Sequence, residues 1–222
     1  MIDSRAVYAK AASLLLRYPS ADVLTAVPAI RDALAEVPGP AADALSRVAD
    51  HYAATSGQRL AEDYVATFDF RRRCALHLTY YTHGDTRERG AALVRVAEAY
   101  RAVGYAVGDG ELPDYLPAVL DLAATCGEVG WRLLRDHRVG LDLLAAGLER
   151  DGSVWVHAVA AVLSLVPPPS RRDREAAAAL AASGPPAERV GLAGYPSPPP
   201  PRHVGVGGDP AARPAAGTGG PR

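Results

Sequence analysis

Apolar residues recur every three or four positions through most of residues 1–166, and this spacing constrains the fold more than any other feature of the chain. Val7, Ala11 and Leu14 are spaced in this way near the start, and Val23 and Val27 repeat the pattern. Such a period places apolar side chains on one face of an α-helix. No segment alternates strongly between apolar and polar residues, as a half-buried strand would. The sequence therefore predicts an all-α fold, a single-domain helical bundle over residues 1–166.

Proline and glycine residues divide this region into successive helices. The pattern predicts helices over about 4–17, 20–34, 41–55, 57–68, 85–103, 114–123, 133–148 and 154–166. The valine-rich run over 154–166 is apolar on nearly all sides. It is compatible with a strand, but its length favours a helix buried in the centre.

Several residues suggest where these helices begin or bend. Asp85 and Glu88 have the spacing of a capping box, and Asp114 and Ser153 are candidate N-caps of the helices that follow them. Pro28 lies inside the second predicted helix, where it removes a backbone donor. We therefore expect a kink or a break at that position.

The composition changes near residue 167. Of the 19 prolines, 13 lie in residues 167–222, and 19 of the 39 residues from 184 to 222 are Pro or Gly. Such a segment cannot bury enough apolar surface to offset the entropy lost on ordering. We therefore expect a marginal terminal helix within 167–183 and a disordered tail over 184–222.

Charge, hydropathy and cysteine content exclude several classes of protein. The formal net charge is −1, so the chain as a whole has no basic character suited to nucleic acid or to anionic lipid. No apolar run approaches the 18 residues or so that span a bilayer. Two cysteines, Cys74 and Cys126, are too few for a disulfide framework. Because the first ten residues also lack the pattern of a signal peptide, we expect a cytoplasmic protein.

Residues 64–89 stand out for their density of charged and aromatic side chains. Eight of the 21 residues from 69 to 89 are charged. Buried polar groups need hydrogen-bond partners, so such a segment adopts one defined geometry. Two interpretations stay open. Asp69 and Asp85 form ion pairs with nearby arginines and thereby fix a loop between helices, or arginines 71–73 bind carboxylates or phosphates.

A second unusual segment, residues 110–117, contains two acids, two prolines and an aromatic residue. One interpretation is that Glu111 and Asp114 provide only the chemistry of a helix start. The other is that they form an acidic rim beside an apolar groove.

The sequence patterns of common enzymes are missing from this chain. It has no Gly-x-Ser-x-Gly elbow and no phosphate-binding loop. Cys74, His77 and His83 do not have the spacing of a common zinc site, and no fourth ligand is evident. We therefore expect a binding protein with no catalytic residues, no metal and no cofactor.

The two unusual segments resemble a known family. Residues 76–81 read Leu-His-Leu-Thr-Tyr-Tyr, residues 84–87 read Gly-Asp-Thr-Arg, and residues 111–117 read Glu-Leu-Pro-Asp-Tyr-Leu-Pro. Together with Leu-Leu-Leu-Arg-Tyr-Pro at 14–19, these runs resemble the assembly chaperones of respiratory nitrate reductase. That family is the NarJ type, or delta subunit, among the TorD-like redox-enzyme chaperones. The resemblance covers roughly residues 1–166.

The resemblance implies an all-helical protein that is not an enzyme. It implies that the chain binds the N-terminal segment of the catalytic (alpha) subunit of nitrate reductase. It further implies that this subunit stays competent for insertion of the molybdenum cofactor before membrane docking. Proteins that deliver the molybdenum cofactor are further candidate partners, whereas nucleic acid and stable membrane insertion are not expected.

Candidate peptide-binding residues come from the two segments. The candidates for an apolar trough are Tyr64, Phe68, Leu76, Tyr80, Tyr81, Leu112 and Tyr115. The candidates for polar anchors or supports are Asp69, Arg71, Arg72, His77, Asp85, Arg87, Glu111 and Asp114. A groove that binds an amphipathic helix needs both kinds of residue.

Two alternatives remain. The chain could serve another molybdoenzyme through the same fold, although the runs quoted above favour nitrate reductase. It could instead bind a nucleotide, with arginines 71–73 and a helix N-terminus near Asp85 holding the phosphates.

Overall fold

The computed structural model describes residues 3–108, 110–184 and 186. Eleven α-helices form within these residues: α1 Ser4–Leu15, α2 Ala21–Ala35, α3 Pro40–Ala54, α4 Gly57–Tyr64, α5 Tyr80–His83, α6 Arg87–Ala102, α7 Leu116–Cys126, α8 Glu128–Asp136, α9 Arg138–Arg150, α10 Val156–Leu165 and α11 Arg171–Ser183. A π-helical turn, Val65–Asp69, and a 3₁₀ turn, Arg72–Cys74, lie between α4 and α5. No β-strand forms in these ranges, so the all-α prediction is confirmed.

The first helix lies at the centre of the bundle, since it packs against α2, α3, α7 and α10. Its buried face is made mainly of alanine and leucine, which lets the neighbouring helices approach closely. Helix α10 is the valine-rich run, and it packs on α1, α3 and α9. The prediction of a central helix in this part of the sequence is therefore correct.

Aromatic side chains complete the C-terminal end of α1, where backbone carbonyls lack partners within the helix. The indole Nε1 of Trp155 and the hydroxyl of Tyr52 both donate to the Leu15 carbonyl, at 3.1 and 3.0 Å. The hydroxyl of Tyr64 donates to the Leu16 carbonyl at 3.1 Å. These bonds tie the central helix to α3, to α4 and to the start of α10.

The helix boundaries correct several predictions. Helix α6 has Thr86 at its N-cap, so Asp85 and Glu88 do not form the expected capping box. Helix α7 begins after Tyr115, so Asp114 is not its cap. Helix α10 begins after Trp155, two residues beyond the proposed Ser153 cap. For Asp114 the reason is tertiary, because its carboxylate bonds to Thr79 and does not cap α7.

Two interior expectations also change. Helix α2 continues through Pro28, so the chain does not break there. Because Pro28 is exposed, water is able to satisfy the carbonyl that proline leaves without a donor. The leucine pattern over 133–148, expected to be one helix, is divided at His137, where the backbone turns to φ −106° and ψ 23°.

The expected tail over 184–222 lies outside the described residues, except for Gly184 and Pro186. Among the helices that are described, none is both long enough and apolar enough to cross a bilayer.

Candidate functional site

The two unusual sequence segments meet in the structure. The Leu78 N–H donates to the Asp114 carbonyl at 3.0 Å, and the Leu116 N–H donates to the Leu76 carbonyl at 2.8 Å. His77 and Tyr115 face each other across this antiparallel bridge. Two loops separated by more than thirty residues are thereby fixed side by side.

A buried carboxylate holds this junction together. Asp114 is fully buried, and its Oδ2 accepts from the backbone N–H of Thr79 at 3.0 Å and from the Thr79 hydroxyl at 2.5 Å. Its Oδ1 lies 3.2 Å from Nδ1 of His77. Burial alone would raise the pKa of Asp114, but the hydrogen bonds from His77 and Thr79 outweigh it and hold the pKa below its ordinary value. Asp114 therefore stabilises the loop junction as an ion.

Arg89 on α6 extends the same network. Its Nε lies 3.3 Å from the Thr79 hydroxyl, and its Nη2 lies 3.8 Å from Asp114 Oδ2. Its Nη1 reaches the exposed Asp85 at 3.5 Å, and its guanidinium lies over the ring of Tyr80. The expected pairing of Asp85 with a nearby arginine is therefore met by Arg89.

A second carboxylate, Asp151, organises the arginine cluster. Arg71 donates to Asp151 Oδ2 at 2.8 Å, Arg73 bonds to Oδ1, and the Cys74 thiol contacts Oδ2 at 3.5 Å. The hydrogen bond from Arg73 outweighs desolvation and lowers the pKa of Asp151 to about 2. The sequence predicts Asp69 as the partner of these arginines. In the structure their partner is instead Asp151, at the C-terminal end of α9.

The thiol of Cys74 is not poised for chemistry. Burial, together with the carboxylate of Asp151, raises the pKa of Cys74 to about 11, so the thiol stays protonated near neutral pH. His77 and His83 bond to other groups, Asp114 and Thr82. In the part of the chain that the structure describes, no group of three or more His, Cys, Asp or Glu side chains could hold a metal ion.

Two glycines let α9 approach residues 70–86, the loop between the π-helical turn and α6. We call this loop, which carries most of the first motif (residues 76–81 and 84–87), the motif loop. A Cβ atom at Gly147 would lie 2.6 Å from the Arg73 carbonyl oxygen, and one at Gly140 would lie 3.0 Å from the Leu78 carbonyl oxygen. These glycines are seven residues apart and so lie on one face of the helix. The backbone of the loop rests on that face.

A groove of about 490 Å³ opens beside the loop. Its inner wall contains Tyr80, Tyr81, Leu143, Ala146 and Gly147, and its rim contains Arg72, Arg73, Asp85 and Arg150. The last turn of α11, together with Gly184 and Pro186, forms the outer wall. The groove therefore combines an apolar wall with a rim that is mostly basic.

The fifteen candidate residues fall into three groups. The buried ones are Tyr64, Phe68, Leu76, Tyr80, Tyr81 and Asp114; the half-buried ones are Arg71, His77 and Tyr115; the exposed ones are Asp69, Arg72, Asp85, Arg87, Glu111 and Leu112. The buried residues contact other parts of the same chain and are suited to support a surface. Peptide contact by any of the fifteen stays a prediction.

The candidates do not all line one cavity. Arg72, Tyr80, Tyr81 and Asp85 line the 490 Å³ groove. Glu111 lines a separate cavity of about 280 Å³, beside Arg17, Tyr100 and Tyr105. Tyr64 and Phe68 instead belong to a buried aromatic cluster around Trp155, with ring centroids 4.7–5.8 Å apart.

Sequence reasoning missed three residues that build the site, and it considered Arg89 only as a partner of Asp85. Thr79 lies inside residues 64–89, where hydrogen-bonding capacity is the only signal. Asp151 follows Arg150 at the end of α9, and Trp155 precedes α10, and neither position has a local pattern that points to the loop.

Comparison with known proteins places most of the helical region in one family. Residues 21–161 match the family model described as nitrate reductase delta subunit. The chain is 42% identical over 152 residues to the nitrate reductase-like protein NarX of Mycobacterium tuberculosis, which covers 68% of this chain and 23% of NarX. It is 29% identical over 162 residues to a Bacillus subtilis protein named probable nitrate reductase molybdenum cofactor assembly chaperone NarJ, covering 72% of this chain and 88% of that protein.

The fold also matches a solved structure. A crystal structure assigned as a redox enzyme maturation protein from Archaeoglobus fulgidus superposes with a TM-score of 0.57 at 21% identity, covering 74% of this chain and 94% of that one. This likeness supports the helical fold expected from the sequence. The chain spans less than a quarter of the length of NarX but most of the length of the Bacillus subtilis relative.

Proposed function

Because the chain belongs to the nitrate reductase delta subunit family, we propose that it is an assembly chaperone and performs no reaction of its own. Its client would be the catalytic subunit of a nitrate reductase, kept competent for insertion of the molybdenum cofactor before membrane docking. Relatives in Bacillus subtilis and Escherichia coli are named as chaperones of this kind. We place this activity in the cytoplasm.

The client segment would be the N-terminal peptide of the catalytic subunit, bound as a helix in the 490 Å³ groove. One observation carries this proposal: the two family motifs are joined at the Asp114 junction, and the fixed loop contributes Tyr80 and Tyr81 to the apolar wall. A preformed wall lowers the entropic cost of binding, since the loop is already ordered. Proteins that deliver the cofactor are further candidate partners.

The groove suits a ligand that must later be released. A helical peptide that buries about 400 Å² of apolar surface gains on the order of 10 kcal/mol before costs. Immobilisation and side-chain ordering remove much of that gain. The expected affinity is therefore micromolar to nanomolar, weak enough for the client to leave once it is mature.

Two experiments test this proposal. The tagged full chain is used to capture partners from nitrate-respiring cells of its own host, and the catalytic subunit of nitrate reductase is expected to dominate by mass spectrometry. Dominance of another molybdoenzyme would instead support the alternative client that shares this fold. Isothermal titration with a synthetic peptide of the N-terminal segment, at two temperatures, then tests direct binding. Because apolar burial makes the binding enthalpy change with temperature, an absence of heat at both temperatures and millimolar peptide would reject it.

A further inference from the structure

The last described helix, α11, contributes little to the core. None of its thirteen residues is buried. It begins with a complete capping box, in which Ser170 and Asp173 bond to each other's backbone N–H groups. The helix is therefore well formed locally and held only lightly by the bundle.

Helix α11 nevertheless lies across the groove. It packs on α9, and Leu180, Ala181 and Ser183 form part of the groove wall. Residues 176–182 are all alanine except Leu180, which is half-buried. Alanine side chains bury little apolar area, so α11 covers the groove while leaving about 490 Å³ beneath it.

Pro186, shortly after α11, lies against the first family motif. Gly84 has a positive φ of 57°, and a Cβ atom there would lie 1.6 Å from the Pro186 carbonyl oxygen. Only glycine permits this approach of the two backbones. The end of α11 and the motif loop therefore fit each other closely at one point, while the groove next to them stays unfilled.

The positive charges at the groove favour the C-terminal end of a helix. The last turn of α11 contains no basic residue, and its carbonyl groups carry partial negative charge. Arg72, Arg73 and Arg150 line the same cavity as that turn. A helix that replaced α11 with the same polarity would meet the same favourable charges.

We propose that α11 is an intramolecular occupant of the client groove, which a client helix with bulkier apolar side chains displaces. This inference rests on the proposed function, because it concerns the same groove. Alanine leaves the cavity unfilled, whereas leucine or phenylalanine on a client helix would fill it and gain the burial that α11 forgoes. The cover keeps the apolar wall away from water until a client arrives.

Matched substitutions in the full chain test the cover. Leu180→Lys places a positive charge beside Arg72, Arg73 and Arg150 and should lift α11, whereas Ala179→Lys changes an exposed neighbour and serves as the control. The affinity of a fluorescein-labelled client peptide is measured by anisotropy. If the groove is open about a tenth of the time, removing the cover tightens binding about tenfold in Leu180→Lys and leaves Ala179→Lys unchanged.

Hydrogen exchange of the unmodified protein gives a second, independent readout. Saturating client peptide should accelerate exchange at the amides of α11 and slow exchange around Tyr80. The inference fails if the peptide binds but either α11 exchange or the Leu180→Lys affinity stays unchanged, and the proposed function then survives. If neither the natural chain nor Leu180→Lys binds the peptide, the proposed client segment itself is rejected.

Discussion

The carboxylate of Asp114 accepts two hydrogen bonds from Thr79, one from its hydroxyl at 2.5 Å and one from its backbone N–H at 3.0 Å. These bonds join two loops that lie 35 positions apart in the sequence. They also fix the loop that presents Tyr80 and Tyr81 to the groove. Loss of this one carboxylate should therefore affect both stability and binding.

Replacing Asp114 with Asn should lower the free energy of unfolding by about 1.5–3 kcal/mol, because buried hydrogen bonds to a charged acceptor are lost or weakened. Urea denaturation of the variant measures the change. Glu111→Gln is the matched control, since Glu111 is exposed in the same segment and should change stability by less than about 0.5 kcal/mol. Equal effects of the two substitutions would contradict the role assigned to the Asp114 junction.

The pair of Asp151 with Arg71 and Arg73 should make stability depend on pH in acid. The pKa of Asp151 is about 2 in the folded protein, against an ordinary value of 3.8. The stabilisation is therefore fully present above about pH 4 and is lost as the pH falls toward 2. Thermal melts of Asp151→Asn should show a shallower loss of stability over that interval than melts of Glu149→Gln, an exposed neighbour on α9. If the stabilities of the two variants fall in parallel as the pH is lowered, the pairs of Asp151 with Arg71 and Arg73 contribute nothing to stability.

The close contact between α9 and the motif loop should make Gly147 intolerant of any side chain. Gly147→Ala places a methyl group 2.6 Å from the Arg73 carbonyl oxygen, and we expect destabilisation of about 1–3 kcal/mol. Gly90→Ala on α6 is the control, because no atom outside its own helix lies within 4 Å of the added Cβ. That substitution should stabilise by up to about 1 kcal/mol through helix propensity. Guanidinium denaturation distinguishes the two, and a neutral Gly147→Ala would disprove the close approach.

The exposed rim residue Arg72 should affect binding and not folding. Its side chain is 84% exposed and its carboxylate neighbour, Asp85, is 4.0 Å away, so this pair adds little to stability. Arg72→Glu should weaken client-peptide binding by about fivefold and alter its salt dependence, since the substitution reverses a charge at the groove. Arg47→Glu, exposed on α3, is the control. Isothermal titration at two salt concentrations measures both effects, and unchanged binding would remove Arg72 from the site.

The sequence by itself determined the helical class and the general position of most helices. Periodicity of apolar residues is a local signal, and the core of α1, α3 and α10 follows it closely. Composition, a second local signal, identified the two motif segments, because density of charge and aromatic residues is visible without a fold. The resemblance of these segments to a family was also visible without a fold, because it rests on short contiguous runs of residues.

Only the tertiary structure decided what these residues do. Asp114 is of a residue type that often caps helices, yet here it is buried and accepts hydrogen bonds from Thr79. Asp151 pairs with arginines about eighty positions away in the sequence. Tyr64 and Phe68 were candidates for an open trough, yet they pack on Trp155. Ion pairs and aromatic contacts of this kind form between distant segments, and their partners depend on how the helices pack. Local spacing carries no information about that packing, so it locates the segments but not the groove that they build.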